Sequence, residues 1–162
     1  MTGWRETPGE AAQRVKGWKQ GVGNWLQEYE WHHWLTLTVR GRWPQERVLR
    51  AFKDEFVRYA TKSTQGPVRY AYVLEGGALG DRPHLHALLH GTERLGASRL
   101  GSAWRHGRSE VDPYDARRGA THYLAKEIGG RVLDYGVSER MPPNRIKPSH
   151  GRLNTEDVGS SE

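Results

Sequence analysis

A chain of 162 residues is long enough for one domain with a sizeable core, and no internal repeat is visible. With 35% hydrophobic residues, a mean hydropathy of -0.85 and apolar runs no longer than stretches such as WLTLTV, a membrane segment is not expected. The absence of cysteine excludes disulfides and thiolate metal sites, and the net charge of +6 favours a polyanionic partner, nucleic acid first.

The opening stretch MTGWRETPGEAAQRVKG carries Glu6 and Glu10 and no continuous apolar core, so a secretory signal is not supported. The expected location is the cytoplasm, or wherever the DNA of the host cell is. Over residues 9–29, Val15, Trp18, Val22, Trp25, Leu26 and Tyr29 recur at helical spacing, which predicts a packing helix or a pair of helices interrupted around Gly21 and Gly23. The run WHHWLTLTVRG predicts a strand, with Leu35, Leu37 and Val39 alternating against Thr36 and Thr38. His32 and His33 read as edge or surface residues there, not ligands. Residues 44–62 predict an amphipathic helix, with Pro44 in its first turn and a stripe of Val48, Leu49, Phe52, Phe56 and Tyr59 facing the core.

Two further strands follow, over residues 68–75 and around RPHLHALLHG, with Gly76, Gly77, Gly80 and Asp81 as turn residues between them. A short helix is expected over 94–104, another strand over 107–111, and a helix starting at Asp112-Pro113 or at Gly119 and ending at Gly129-Gly130. The domain is expected to occupy residues 1–135, with an irregular, partly disordered tail over 136–162. The fold class expected is α+β, a central antiparallel sheet of four or five strands flanked by helices.

Chemistry-bearing residues gather in the second half. His84 and His86 are two apart on a strand and share one face, roughly 6.5 Å apart. A hairpin would bring Glu75 beside them. Two neutral nitrogens and one carboxylate leave coordination positions open on a divalent ion for water or substrate. In GATHYLAKEIGG, Tyr123 and Lys126 are neighbours on one helix face, and an ammonium makes a phenol easier to ionise. His90 shares the strand face of His86 and is at most a phosphate contact at the edge of the site, while no role is assigned to His122.

The three stretches WLTLT, RPHLHALLHG and THYLAKE resemble, in order, the three motifs of HUH endonucleases. They are most similar to those of the replication-initiator (Rep) proteins of rolling-circle plasmids, phages and small circular DNA viruses. The resemblance spans Trp34 to about Gly130 and implies an RRM-like core. It implies Mg²⁺ or Mn²⁺ held by Glu75, His84 and His86, with single-stranded DNA at a replication origin as partner. It also implies Tyr123 as a nucleophile that forms a 5′-phosphotyrosine, and Lys126 as the group that favours the phenolate or neutralises phosphate charge. Where two-tyrosine members carry their second tyrosine, this chain has Glu127, placed to activate water against the phosphotyrosine or simply to be a solvated helix residue.

Other readings use some of the same residues. A single-tyrosine transposase would share the chemistry. A relaxase is disfavoured because no tyrosine precedes Tyr29. A non-haem iron oxygenase would place a carboxylate inside the first ligand pair, which His84 and His86 do not have. A non-catalytic module binding single-stranded nucleic acid remains the reading outside enzymes. No phosphate-binding GxxxxGK[ST] loop is present, so helicase activity is not expected of this chain.

Overall fold

The computed structural model describes residues 7–76, 82–127 and 132–145, with the backbone alone at 126 and 127. The turn glycines Gly77 and Gly80 with Asp81, the Gly129-Gly130 pair and most of the expected tail lie outside the described residues. The elements in chain order are α1 (Pro8–Gln27), β1 (His33–Thr38), α2 (Gln45–Arg50) running through a π-helical stretch (Ala51–Val57) into α3 (Arg58–Thr64), β2 (Arg69–Glu75) and β3 (His84–His90). Then come α4 (Ala97–Ala103), β4 (Ser109–Pro113), a 3₁₀ turn (Ala116–Arg118), α5 (Ala120–Glu127) and β5 (Val132–Val137). The strands form one open antiparallel sheet in the order β4-β1-β3-β2-β5, flanked by helices, so the fold is α+β.

Strand alternation sends Leu85, Ala87 and Leu89 of β3 to one face and His84, His86, Leu88 and His90 to the other. The first face joins Leu35 and Leu37 of β1 and Tyr72 and Leu74 of β2 in the larger core, closed by Val48, Phe52, Phe56, Leu100 and Trp104 from the helices. The second face packs Ala71, Val73 and Leu88 against Leu26 of α1 and Leu124 of α5. Burying an aliphatic or aromatic side chain of this size stabilises by roughly 1.5–3 kcal/mol. The apolar residues on each face therefore decide which way every other side chain on the strands points.

Several expectations need correction. The first helix is continuous, since Thr7 and Glu10 cap its start reciprocally and neither glycine breaks it. Gly23 is buried against α5, where a Cβ would collide with the His122 ring, whereas Gly21 faces open space. Val15, Trp18 and Trp25 stay exposed, because only the Gly23–Leu26 part of the helix meets the sheet. On the second helical segment the buried stripe is Val48, Phe52, Phe56 and Ala60, spaced by four through the π turns, which leaves Tyr59 outside it. Asp112-Pro113 ends a strand instead of starting a helix; Gly119, at φ +70, breaks the chain between the 3₁₀ turn and α5. His33 is buried at 5% exposure, bonded to Thr92 Oγ1 at 2.7 Å, and burial pushes its imidazole below the ordinary value.

β5 is a strand the sequence pattern did not announce. Its backbone pairs with β2, and Tyr72 donates to Asp134 at 2.9 Å. The residues after it return to α1, where Arg145 N–H donates to the Glu28 carbonyl and Asn144 bridges to Tyr29.

Helix propensity favours alanine over glycine by about 1 kcal/mol in a helix interior. Gly21→Ala is therefore expected to raise unfolding stability by about 0.5–1 kcal/mol. Gly23→Ala is expected to lower it by about 1 kcal/mol or more, because the His122 ring must leave its seat and its bond to Asn24. Urea unfolding of the two variants checks this, and equal gains from both would contradict the packing described.

Candidate functional site

The second sheet face carries the polar residues of three adjacent strands in register. Thr36 lies opposite His86 and Thr38 opposite His84 on the β1 side, while Val73 and Glu75 take the same places on β2. The cross-strand pairing thus brings Glu75 beside the histidines. His86 is buried at 6% exposure, with Nε2 3.6 Å from Glu75 Oε2 and Nδ1 3.0 Å from Thr36 Oγ1. A hydroxyl on one ring nitrogen fixes the imidazole plane and directs the other nitrogen toward the carboxylate.

Tyr123 reaches this group from α5. Leu124 and Ala125 are buried on the sheet, which seats the helix and leaves the preceding residue, 45% exposed, over the histidine face. Its ring stands edge-on to His86 and to Trp34, with centroids 5.7 Å apart in each case, and Trp34 stacks on His86 at the same separation. The three rings border a cavity of about 260 Å³, closed by Thr36, Asp112, Pro113, Asp115, Arg118 and Ala120. Asp115 is held as a carboxylate, its pKa lowered to about 2 by the hydrogen bonds from Arg117. His84 opens onto a neighbouring groove lined by Arg40, Arg82 and Arg108. The two depressions therefore share one face, cationic at one end and aromatic at the other.

Of the residues singled out from sequence, Glu75, His86 and Tyr123 converge, and His84 stands next to them along β3. Lys126 and Glu127 lie on α5, but their side chains are outside the described residues. Trp34, Thr36, Asp112, Asp115 and Arg118 were missed as site residues. The alternation of Thr36 with the core leucines was a signal that it faces away from the core, but its partner across the sheet depends on register.

A further group answers to metal-ligand geometry. Glu30, His32 and His90 offer ligand atoms that all lie within 4.8 Å of one another, and among the described residues no other such set of three or more is found. This overturns the reading of His32 as a plain surface residue and of His90 as at most a phosphate contact. Burial lowers the pKa of His90, which favours the neutral imidazole that a metal requires.

Fold and site together define an open-sheet α+β domain with histidine, carboxylate and tyrosine groups on one polar sheet face. The chain belongs to the replication-associated protein ORF2 family, whose model it matches over residues 32–130. That range runs from the start of β1 through α5 and contains the whole cavity. It is thus a replication initiator family, with DNA as the partner its charge favours. Comparison with curated proteins and with solved structures finds no match. No helix among the described residues is long and apolar enough to cross a membrane.

Arg118, exposed at the cavity wall, is the cation best placed there to meet a DNA phosphate. Replacing Arg118 with Gln is expected to weaken DNA binding about fivefold and to reduce the slope of log affinity against log salt by about one. Fluorescence anisotropy over a salt series measures both, and an unchanged slope would remove Arg118 from the contact set.

Proposed function

We propose that the chain is an HUH-type endonuclease that nicks and rejoins single-stranded DNA through a covalent phosphotyrosine, and so initiates rolling-circle replication of a plasmid, phage or small circular DNA. The observation that supports this most directly is the edge-on contact of Tyr123 with His86 beside Glu75, at one cavity on one sheet face. Such chemistry requires that a phenol and the histidine pair reach the same phosphate.

Glu75, His84 and His86 are a donor set that fits a divalent ion. The approach of Glu75 to His86, and the Thr36 hydroxyl that orients the ring from behind, are what this assignment needs. Mg²⁺ or Mn²⁺ held there would supply Lewis-acid polarisation of the scissile phosphate oxygens. The nucleophile is the Tyr123 phenolate oxygen, which attacks phosphorus. The bond from phosphorus to the 3′ oxygen breaks, its electron pair leaves with that oxygen, and a proton from water completes the free 3′-OH. Phosphorus remains on Tyr123 as a 5′-phosphotyrosine, and attack by a 3′-OH reverses the step and rejoins the strand.

Lys126, one turn along α5, favours the phenolate and neutralises charge on the phosphate. Glu127, four residues on from Tyr123, is the residue we assign to activating water when the linkage is hydrolysed instead of rejoined. Trp34 offers a surface for an unstacked base, and Arg40, Arg82 and Arg108 line a path for the backbone leading to His84.

Incubation of the protein with a randomised single-stranded DNA library and Mn²⁺, followed by denaturing electrophoresis, is expected to give a covalent adduct that Tyr123→Phe abolishes. Binding without any adduct would reduce the chain to a non-catalytic module. An adduct that survives in Tyr123→Phe would move the nucleophile elsewhere. Thr36→Val keeps the strand shape but removes the bond to His86, and is expected to weaken Mn²⁺ binding about tenfold in a calorimetric titration. Unchanged Mn²⁺ affinity in that variant would argue against His86 as a ligand.

A further inference from the structure

Glu30, His32 and His90 stand apart from the Tyr123 cavity. A strand rises about 3.3 Å per residue, so His90 lies about 20 Å from His84 at the other end of β3. Glu30 and His32 come from the connection between α1 and β1. The group therefore joins two segments far apart in sequence.

Its hydrogen bonds orient the rings. His90 Nδ1 is 2.9 Å from the main-chain carbonyl of Glu30, which only accepts, so Nδ1 carries the proton and Nε2 keeps its lone pair. This is the outer bond that usually aims a metal-binding histidine. His32 stacks on His90 with ring centroids 4.5 Å apart and planes 26° apart, which puts the two rings side by side. His32 Nε2 lies 3.0 Å from Glu30 Oε1. On the far side of the same ring, Nδ1 accepts from the Gly91 N–H at 2.8 Å and has Glu93 Oε2 3.1 Å away. A cation entering between His32 and Glu30 takes the Nε2 lone pair. The ring proton is then carried on Nδ1, and Glu93 stands where it can accept a hydrogen bond from it.

We propose that Glu30, His32 and His90 form a second divalent-metal site, of the kind that takes Zn²⁺, which ties the α1–β1 connection to the far end of β3. Two imidazoles and one carboxylate are a zinc donor set, whereas Mg²⁺ prefers oxygen. The connection it would tie is also bonded to the residues after β5, through Glu30 N–H to the Pro143 carbonyl at 3.0 Å and Arg145 N–H to the Glu28 carbonyl at 2.7 Å. The ion would thus stiffen the junction of three segments at the end of the sheet away from Glu75. Its role is structural and independent of the nicking chemistry.

The test uses the full chain carrying His84→Ala and His86→Ala, which removes the other histidine pair, and needs no DNA. After incubation with Zn²⁺ and gel filtration, this protein is expected to retain one Zn²⁺ per chain, and excess Zn²⁺ should raise its thermal midpoint by about 5 °C. Adding Glu30→Gln or His90→Ala to that background should cut Zn²⁺ affinity at least tenfold and erase the shift. Glu30 is exposed, and a Gln carbonyl oxygen can still accept from His32, so this variant reads loss of the ligand and not loss of fold. No retained Zn²⁺ in the His84→Ala, His86→Ala background, or undiminished affinity in Glu30→Gln, would overturn the proposal.

Discussion

The structure depends on β3 being held in one register between β1 and β2. Every residue from His84 to Leu89 has a partner on both sides, and the buried Leu85, Ala87 and Leu89 leave the strand no second choice of face. A slip of one residue would turn those side chains to the histidine face and drive the histidines into the larger core, where unpaired imidazoles are costly. The same hydrophobic burial that stabilises the domain therefore sets the place of the polar groups. Glu75 meets His86 because the leucines on the reverse of the sheet are where they must be.

The second constraint is the seat of α5. Leu124 belongs to the smaller core with Leu26 of α1, and the close approach of the two helices at Gly23 and His122 sets how far α5 can sink. Tyr123 is carried to the sheet by its neighbours in the helix, while its own ring stays half-exposed over the cavity. Such an arrangement suits a side chain that must meet a large polymeric partner and still be held against the residues beside it. Packing fixes the helix, and the helix presents the phenol.

Along β3 the polar groups divide into two sets. Near its start they adjoin an arginine-lined groove and an aromatic cavity, open enough to admit nucleic acid. Near its end they are gathered by hydrogen bonds to the α1–β1 connection and stand close to no such groove. Both sets use histidine with a carboxylate. Their surroundings differ in the respect that matters for function: access for a DNA backbone at one end and tight cross-linking of chain segments at the other.

How much of this could be read from the residues follows from the range of the forces involved. Local patterning was sufficient for the strand alternation around His84 and His86, the helix bearing Tyr123 and the turn-rich hairpin beside Glu75, because these depend on neighbours a few residues away. It failed for β5, whose only reason to be a strand is the β2 edge it pairs with, and for Asp112-Pro113, whose strand pairing with β1 outweighed a local helix signal. It also failed for His32, His33 and His90, since nothing near them in sequence foretells Thr92, Glu30 or Glu93 as neighbours. By itself the sequence determined which side chains share a strand face or a helix face. The tertiary structure alone decided which faces meet, because strand register and helix seating are settled by apolar burial summed over the whole sheet, a quantity no short stretch contains.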